Sequence, residues 1–178
     1  MPMQKVFRLH SRTSYRAINL HEEEIPTPDK HEVLIKVKSV SLNFRDVAVS
    51  NGAYPFPVKE MVVPCSDACG EVVEAGCAVT NVGKGDLVVC TFDPTNLYGP
   101  QKNWENGLGG PVDGVLREYV AVPASAVVKV SAVSGVSTAS WASMVCTGVT
   151  AWNCLYGNVP LRPGQTVLFQ GKFRPVHN

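Results

Sequence analysis

Up to about Val130 the chain is a series of short β-type apolar runs separated by Gly, Pro and Asp, the pattern of strands joined by turns. Candidate strands are Gln4 to Leu9, Val33 to Leu42, Ala68 to Glu74, Asp86 to Phe92, Val115 to Val122 and Ala126 to Val130. In the second run Val33, Ile35 and Val37 alternate with Leu34, Lys36 and Lys38 before the apolar phase moves to Val40 and Leu42. An extra residue near Ser39 produces such a shift, so the spacing predicts a β-bulge there. Turn signals such as Asn81-Val-Gly-Lys-Gly85 recur, and many short strands so punctuated predict a closed or nearly closed antiparallel barrel, because closure removes sticky edges.

Two segments break the period of two. Asn43-Phe-Arg-Asp46 reads as a helix N-cap with an acidic residue three positions on, and Gly52 as its stop, giving a helix of about two turns. Trp141, Met144, Val145, Val149, Trp152, Leu155 and Tyr156 fall at helical spacing, which predicts a longer amphipathic helix ending at Gly157 and Pro160. Thr166-Val-Leu-Phe169 is again a β-type run, followed by Gly171 and the polar Lys172-Phe-Arg-Pro-Val-His-Asn178, whose proline argues against a helix. Thr91 to Pro111 is a long connection rich in Gly, Pro and Asn that carries Tyr98 and Trp104. Connections of this length are usually functional or disordered.

A chain of 178 residues, 45% apolar and 17% charged, can bury a core without a disulfide or metal staple. Its net charge of +1 gives no electrostatic footprint for a phosphate backbone or an anionic bilayer, so neither nucleic acid nor membrane is an expected partner. Lys5, Arg8, Arg12 and Arg16 interrupt the N-terminal segment where a signal peptide would need an apolar run, which points to the cytosol. Between Lys129 and Arg162 no charge occurs, yet Ser131, Ser134, Ser137, Ser140, Ser143, Thr147, Thr150 and Asn153 make the stretch too polar for a span. It reads as a buried helix at a domain junction. The six cysteines show no two-residue spacing, so buried thiols are expected rather than a zinc knuckle or a disulfide framework.

Ser41-Leu-Asn-Phe-Arg-Asp46, Asn51-Gly-Ala-Tyr-Pro55, Ser66-Asp-Ala-Cys-Gly-Glu-Val-Val73, Val82-Gly-Lys-Gly-Asp-Leu-Val-Val89, Gly110-Pro-Val-Asp-Gly114, Thr150-Ala-Trp152 and Leu161-Arg-Pro-Gly-Gln-Thr-Val-Leu168 follow one another in order. This series resembles the medium-chain dehydrogenase/reductase superfamily, and most nearly its zinc-independent alcohol dehydrogenase-like and quinone oxidoreductase-like branch. The resemblance implies a mainly β fold with a few helices: a GroES-like β-barrel followed by junction helices and only the first strand of a Rossmann domain. It divides the chain into a GroES-like catalytic domain at 1–135, junction helices and that strand at 136–171, and an unrelated polar tail at 172–178. Full-length members of the family use NADP(H) or NAD(H) and act on a small carbonyl or enone substrate. Here Gly171-Lys-Phe-Arg-Pro175 stands where a Gly-rich turn would follow the strand, and without further glycines a pyrophosphate has no cradle. The expectation is therefore that this chain alone binds no cofactor.

By the same resemblance, zinc-dependent relatives carry ligands where Asn43, Ser66 and Cys146 stand, and one thiol among three positions does not make a zinc site; no metal is expected. Asn43 would lie near nicotinamide and substrate and donate to a developing oxyanion, although Asn43 and Asp46 equally form a helix cap. Tyr54 would line the substrate pocket and donate its hydroxyl, or plug the barrel rim. Thr150 would touch the nicotinamide half of the cofactor, with Cys146 and Cys154 on its helical face. The expected catalytic residues are thus Asn43, Asp46 and Tyr54, and the cofactor contacts Asn43 and Thr150. His10, His21, His31 and His177 form no recognisable constellation and read as surface residues. Two functions compete. One is the catalytic-domain portion of an oxidoreductase, inactive alone and needing a cofactor-domain partner; the other is a non-enzymatic binding module that uses the junction helix, as a homodimer in one form.

Overall fold

The computed structural model describes residues 2–132 and 135–169. The chain opens with a hairpin that sequence spacing only half anticipates. β1 (Met3–Leu9) pairs antiparallel with β2 (Ile18–Glu24), from Met3 opposite Glu24 to Leu9 opposite Ile18. The second strand was missed because Ile-Asn-Leu-His-Glu-Glu-Glu has little β propensity of its own; its partner supplies the ladder. Between the two, Ser14 caps a short 3-10 turn, Tyr15–Ala17, accepting from the Arg16 N–H at 3.2 Å.

β3 (Glu32–Ser41), β4 (Asp67–Ala75), β5 (Leu87–Cys90), β6 (Tyr119–Pro123) and β7 (Val127–Lys129) form one antiparallel sheet in the order β6-β3-β4-β5-β7. β6 and β7 occupy opposite edges yet are joined only by the single 3-10 turn Ala124–Ala126. Four strand spacings would separate the edges of a flat sheet by about 19 Å, whereas a connection of this length spans about 14 Å even fully stretched. The sheet must therefore curl, and the nearly closed barrel follows from the connectivity. β1 seals its side through the bridge of Val6 to Arg117 and the Phe7 N–H to Leu116 O at 3.1 Å.

The bulge expected at Ser39 is present as a register shift between Val37 and Ser39, with a second one between Leu34 and Ile35. Gly70 lies opposite Val37, where a Cβ would come within 2.5 Å of the Lys36 carbonyl oxygen, so the close approach at the bulge requires glycine. The core lines the concave side. Val33 and Ile35 of β3 face Val122 and Val120 of β6, and with Val72 and Val88 all are almost fully buried. Each such side chain contributes roughly 1.5–3 kcal/mol. A smaller cluster of Leu9, Val49 and Val62 pins the next element, α1 (Phe44–Ser50), beside the hairpin.

The expected Trp141 to Tyr156 helix forms as three pieces: α2 (Thr138–Ser143), a π-turn over Met144–Gly148, and α3 (Val149–Tyr156). Ser137 caps α2 by accepting from the Ser140 N–H at 3.1 Å, and Thr138 Oγ1 meets Ser39 Oγ at 2.7 Å, tying the helix to the bulge of β3. Ala142 is fully buried. The reading of this stretch as a buried amphipathic helix is corrected: Met144, Val149, Trp152 and Tyr156 are all about half exposed or more. Their helical spacing is real, but among the described residues nothing packs over that face. No helix among the described residues is long and apolar enough to cross a membrane. The run from Thr166 to Phe169 has no sheet partner among the described residues, and a strand takes its hydrogen bonds from a neighbour. Leu168 and Phe169 are left exposed. The expected polar tail 172–178 lies outside the described residues.

Candidate functional site

Asn43 has extended backbone and caps α1: its own N–H donates to the Asp46 carboxylate at 2.7 Å while the Asp46 N–H returns to the Asn43 carbonyl at 3.0 Å. A capping box of this kind holds the first helical turn rigid. Burial pushes the Asp46 carboxyl above its usual range, against the opposing pull of the Asn43 N–H and the Arg45 charge. Asp46 is thus committed to the helix end.

The Asn43 side chain turns away from the cap. Its Nδ2 donates to Asp67 Oδ2 at 3.0 Å, and the Cys146 backbone N–H donates to the same oxygen at 3.0 Å. Ser66 Oγ donates to the other carboxylate oxygen at 2.6 Å. Asp67 is fully buried and collects donors from three parts of the chain: the cap of α1, the start of β4 and the π-turn. The π-turn now has a cause. The Cys146 N–H leaves the helical ladder for a carboxylate, the flanking hydroxyls of Ser143 and Thr147 bond back to the Ser140 and Ser143 carbonyls, and Gly148 leaves room for the Met144 side chain. Burial, then the nearby Asp67, raises the Cys146 thiol above the ordinary range, against the opposing pull of the neighbouring Thr150 side chain. Cys65, immediately before Ser66, has φ +69°, a left-handed conformation that costs roughly 1–2 kcal/mol for a residue with a side chain. Strain of this sort concentrates where a chain must present neighbouring groups in one fixed direction.

Tyr54 does not join this cluster. It lies across Arg45, whose guanidinium carbon sits 4.8 Å from the ring centroids of both Tyr54 and Phe92. Arg45 Nη1 donates to the Leu108 carbonyl at 2.7 Å, while its Nε and Nη2 are buried with no partner. Tyr54 meets Phe56 edge-on, Phe56 stacks on Trp104 at 5.0 Å, and Trp104 approaches Phe92 edge-on. The long loop is thereby anchored through Trp104; Tyr98 is almost fully exposed. Beyond Phe92 an apolar cavity of about 440 Å³ opens beneath the π-turn, walled also by Trp141, Met144, Val145 and Val149, within the size range of small-molecule pockets.

The positions Asn43, Ser66 and Cys146, where the family resemblance places the ligands of zinc-dependent relatives, do converge, and they converge on Asp67. Sequence reasoning named neither Asp67 nor Arg45 as functional, although an Asp entering an apolar strand is a visible sign of a buried, partnered carboxylate. Among the described residues no three His, Cys, Asp or Glu side chains are grouped to hold a metal ion.

Residues 29–132 match the alcohol dehydrogenase GroES-like domain. Over 159 residues the chain is 39% identical to a zinc-type alcohol dehydrogenase-like protein of Schizosaccharomyces pombe, covering 85% of this chain and 45% of that protein. It is 30% identical to a quinone oxidoreductase-like protein 2 homolog of Nematostella vectensis, over 88% of this chain and 40% of the other. A solved protein of Sinorhizobium meliloti 1021, classed as a zinc-binding dehydrogenase and bound to NADP, superposes with a TM-score of 0.64 at 25% identity, over 80% of this chain and 42% of that one. The chain thus spans less than half the length of these relatives. A curled antiparallel sheet with a capped helix and a junction helix docked on one buried carboxylate, matched over most of the sheet by that domain, makes this chain a member of the alcohol dehydrogenase GroES-like family within the medium-chain dehydrogenase/reductase superfamily.

Proposed function

We propose that this chain is the substrate-side portion of a zinc-independent, NADP(H)-dependent oxidoreductase that reduces a small carbonyl or enone, and that it is inactive without a cofactor domain. The observation that carries the reading is the Asp67 cluster. Where a catalytic zinc would need three N, S or carboxylate ligands and an open position, Asn43 offers an amide, Ser66 a hydroxyl already given to Asp67, Cys146 a thiol raised by burial, and Asp67 a carboxylate already engaged by three donors. That donor set does not fit zinc.

An amide carries two N–H groups. Asp67 takes one from Asn43 and so fixes the plane of the amide, which presents the other to a substrate oxygen as it gains charge; a preoriented donor of this kind stabilises an oxyanion without reorganising. Asp46 is a positioning residue, because its hydrogen bonds hold the cap from which Asn43 projects. Tyr54, cradled by Arg45 and Phe56 apart from the Asp67 cluster, is proposed to line the substrate space and to donate its hydroxyl to the substrate. A nicotinamide, when bound, supplies the hydride; Thr150, exposed on the first turn of α3, and Asn43 are the residues here that would meet it. The phosphates require a Gly-rich turn that Gly171-Lys-Phe-Arg-Pro175 does not provide. In this reading 1–135 is the catalytic domain and 136–171 the junction. Six free thiols suit a reducing compartment, which agrees with the cytosol.

The test is a chimera in which the S. pombe relative's C-terminal half follows this chain, assayed for NADPH oxidation with ketones and enones. Turnover that falls at least tenfold in Asn43→Ala supports the reading. Saturable micromolar NADPH binding by the chain alone, or turnover that depends on added zinc, overturns the corresponding part. The half-exposed stripe of Met144, Val149, Trp152 and Tyr156 supports the second reading, a binding module. A concentration-dependent dimer by sedimentation, lost in Trp152→Ser, together with an inactive chimera, would favour it.

A further inference from the structure

His10 and His21 are solitary in the sequence but adjacent in the fold. His10 follows the end of β1, where its N–H donates to the Ala17 carbonyl at 2.9 Å, and His21 lies in β2. Their Nε2 atoms are 2.7 Å apart, the ring centroids 4.9 Å apart and the planes within 18° of each other. The centroid distance exceeds the nitrogen distance by about two ring radii, so the rings meet head-on rather than face to face. A contact this short between ring nitrogens requires one N–H and one lone pair. One ring therefore already carries an Nε2 lone pair, engaged by the N–H of the other, and the other gains one when its proton sits on Nδ1 instead, a change of tautomer that frees both with no net loss of a proton.

We propose that His10 and His21 form a two-imidazole site for a borderline divalent transition-metal ion such as Ni²⁺, Cu²⁺ or Zn²⁺. Bonds of 2.0–2.1 Å at a tetrahedral angle place two nitrogens about 3.3 Å apart, and at a right angle about 2.9 Å apart. From 2.7 Å the rings need only part by a few tenths of an ångström and tilt until both lone pairs converge. The ring torsions permit this, since the terminal χ2 of histidine is soft and the pair stands at the surface. The backbone beneath does not move, because β1 and β2 are paired along their whole length. Imidazole suits Ni²⁺, Cu²⁺ and Zn²⁺, with Cu²⁺ the tightest of the three. Among the described residues no third His, Cys, Asp or Glu completes the set, so water or an outside ligand fills the remaining positions. The site lies on the hairpin and uses none of the Asp67 cluster.

The experiment is a calorimetric titration of the purified chain with NiCl₂ after Cys77 and Cys154, the exposed thiols, have been alkylated. One Ni²⁺ per chain is expected, at least tenfold weaker in His10→Ala and in His21→Ala and unchanged in His31→Ala. His10→Gln, with circular dichroism and urea midpoint matched to the parent, guards against a loss caused by unfolding. Paramagnetic broadening of the His10 and His21 ring protons ahead of those of His31 is the second readout. Equal affinity in all variants, absence of saturable binding, or broadening that begins elsewhere overturns the proposal.

Discussion

The carboxylate of Asp67 is the acceptor for Asn43 Nδ2, Ser66 Oγ and the Cys146 N–H, so replacing it tests the assembly of the whole junction. In Asp67→Ala three donors lose their partner at once. The Ser66 hydroxyl is almost fully buried and pays most of an orphaned group's cost, about 1–3 kcal/mol, while the Asn43 amide and the Cys146 N–H are only partly buried and recover some of theirs from water. Relief of the buried charge offsets part of the sum, which leaves about 3–5 kcal/mol against a typical total of about 5–15 kcal/mol. Asp67→Asn should cost about 1 kcal/mol, because its carbonyl can stand where Oδ2 accepts two bonds and its amide can donate to Ser66 Oγ, which turns from donor to acceptor. Urea unfolding at neutral pH reads the difference. With a slope near 2 kcal/mol/M, Asp67→Ala should lower the midpoint by about 2 M and Asp67→Asn by about 0.5 M. Hydrogen exchange at the Cys146 amide should accelerate in Asp67→Ala and stay slow in Asp67→Asn. Equal midpoint shifts for the two variants, or a larger one for Asp67→Asn, would refute the three-donor account.

The same geometry fixes other outcomes. Asn43→Ala should destabilise by about 1–2 kcal/mol in chemical denaturation through loss of the Nδ2 donor to Asp67, while the cap, held by the backbone N–H and carbonyl of residue 43, survives. Alkylation at neutral pH, followed by mass spectrometry, should label Cys77 and Cys154 within minutes and Cys146 slowly. Cys69 and Cys90, pushed by burial up to about 11 and about 12, should stay unlabelled until the chain unfolds. The Arg8 hydrogen bond holds the Glu23 carboxyl below its usual range; a depressed carboxyl contributes stability above its unfolded pKa and loses it as pH falls through the folded one. Midpoints measured from pH 5 downward should therefore fall less steeply in Glu23→Gln than in the parent, and an unchanged slope would remove this pair from the acid response. Leu168→Ser with Phe169→Ser should raise solubility while leaving the urea midpoint within experimental error, since both side chains are about four-fifths exposed.

How far the sequence reached depends on which interactions are local. The α1 cap was legible because Asn43 and Asp46 satisfy each other within one turn, and the Ser39 bulge because an alternation that changes phase leaves a mark on every residue after it. β2 was not legible, since its acidic run takes order only from β1 across a turn. The helix of 141–156 shows the limit from the other side. Its apolar spacing is legible, but burial was inferred from the absence of charge between Lys129 and Arg162, and neither spacing nor missing charge records whether anything covers a face. The same limit applies to the candidate site: Asn43, Ser66 and Cys146 could be singled out, whereas Asp67, which joins residues 24 and 79 positions away, leaves no periodic trace.

The π-turn connects these two failures. A regular helix through Met144–Gly148 would keep the Cys146 N–H in its own ladder and leave the buried Asp67 one donor short; the irregularity exists because the carboxylate outcompetes a carbonyl for that N–H, as charged acceptors do. The inserted residue also rotates α3 relative to α2, so the apolar stripe that is continuous in sequence is split, with Ala142 buried on the sheet and Trp152 and Tyr156 turned outward against each other at 4.8 Å. A helix shaped by one buried carboxylate at its start and by an uncovered face at its end is a joint rather than a strut. It fixes Cys146 against the barrel through Asp67 and leaves α3, with the exposed Thr150 on its first turn, free to carry whatever packs on its outer face.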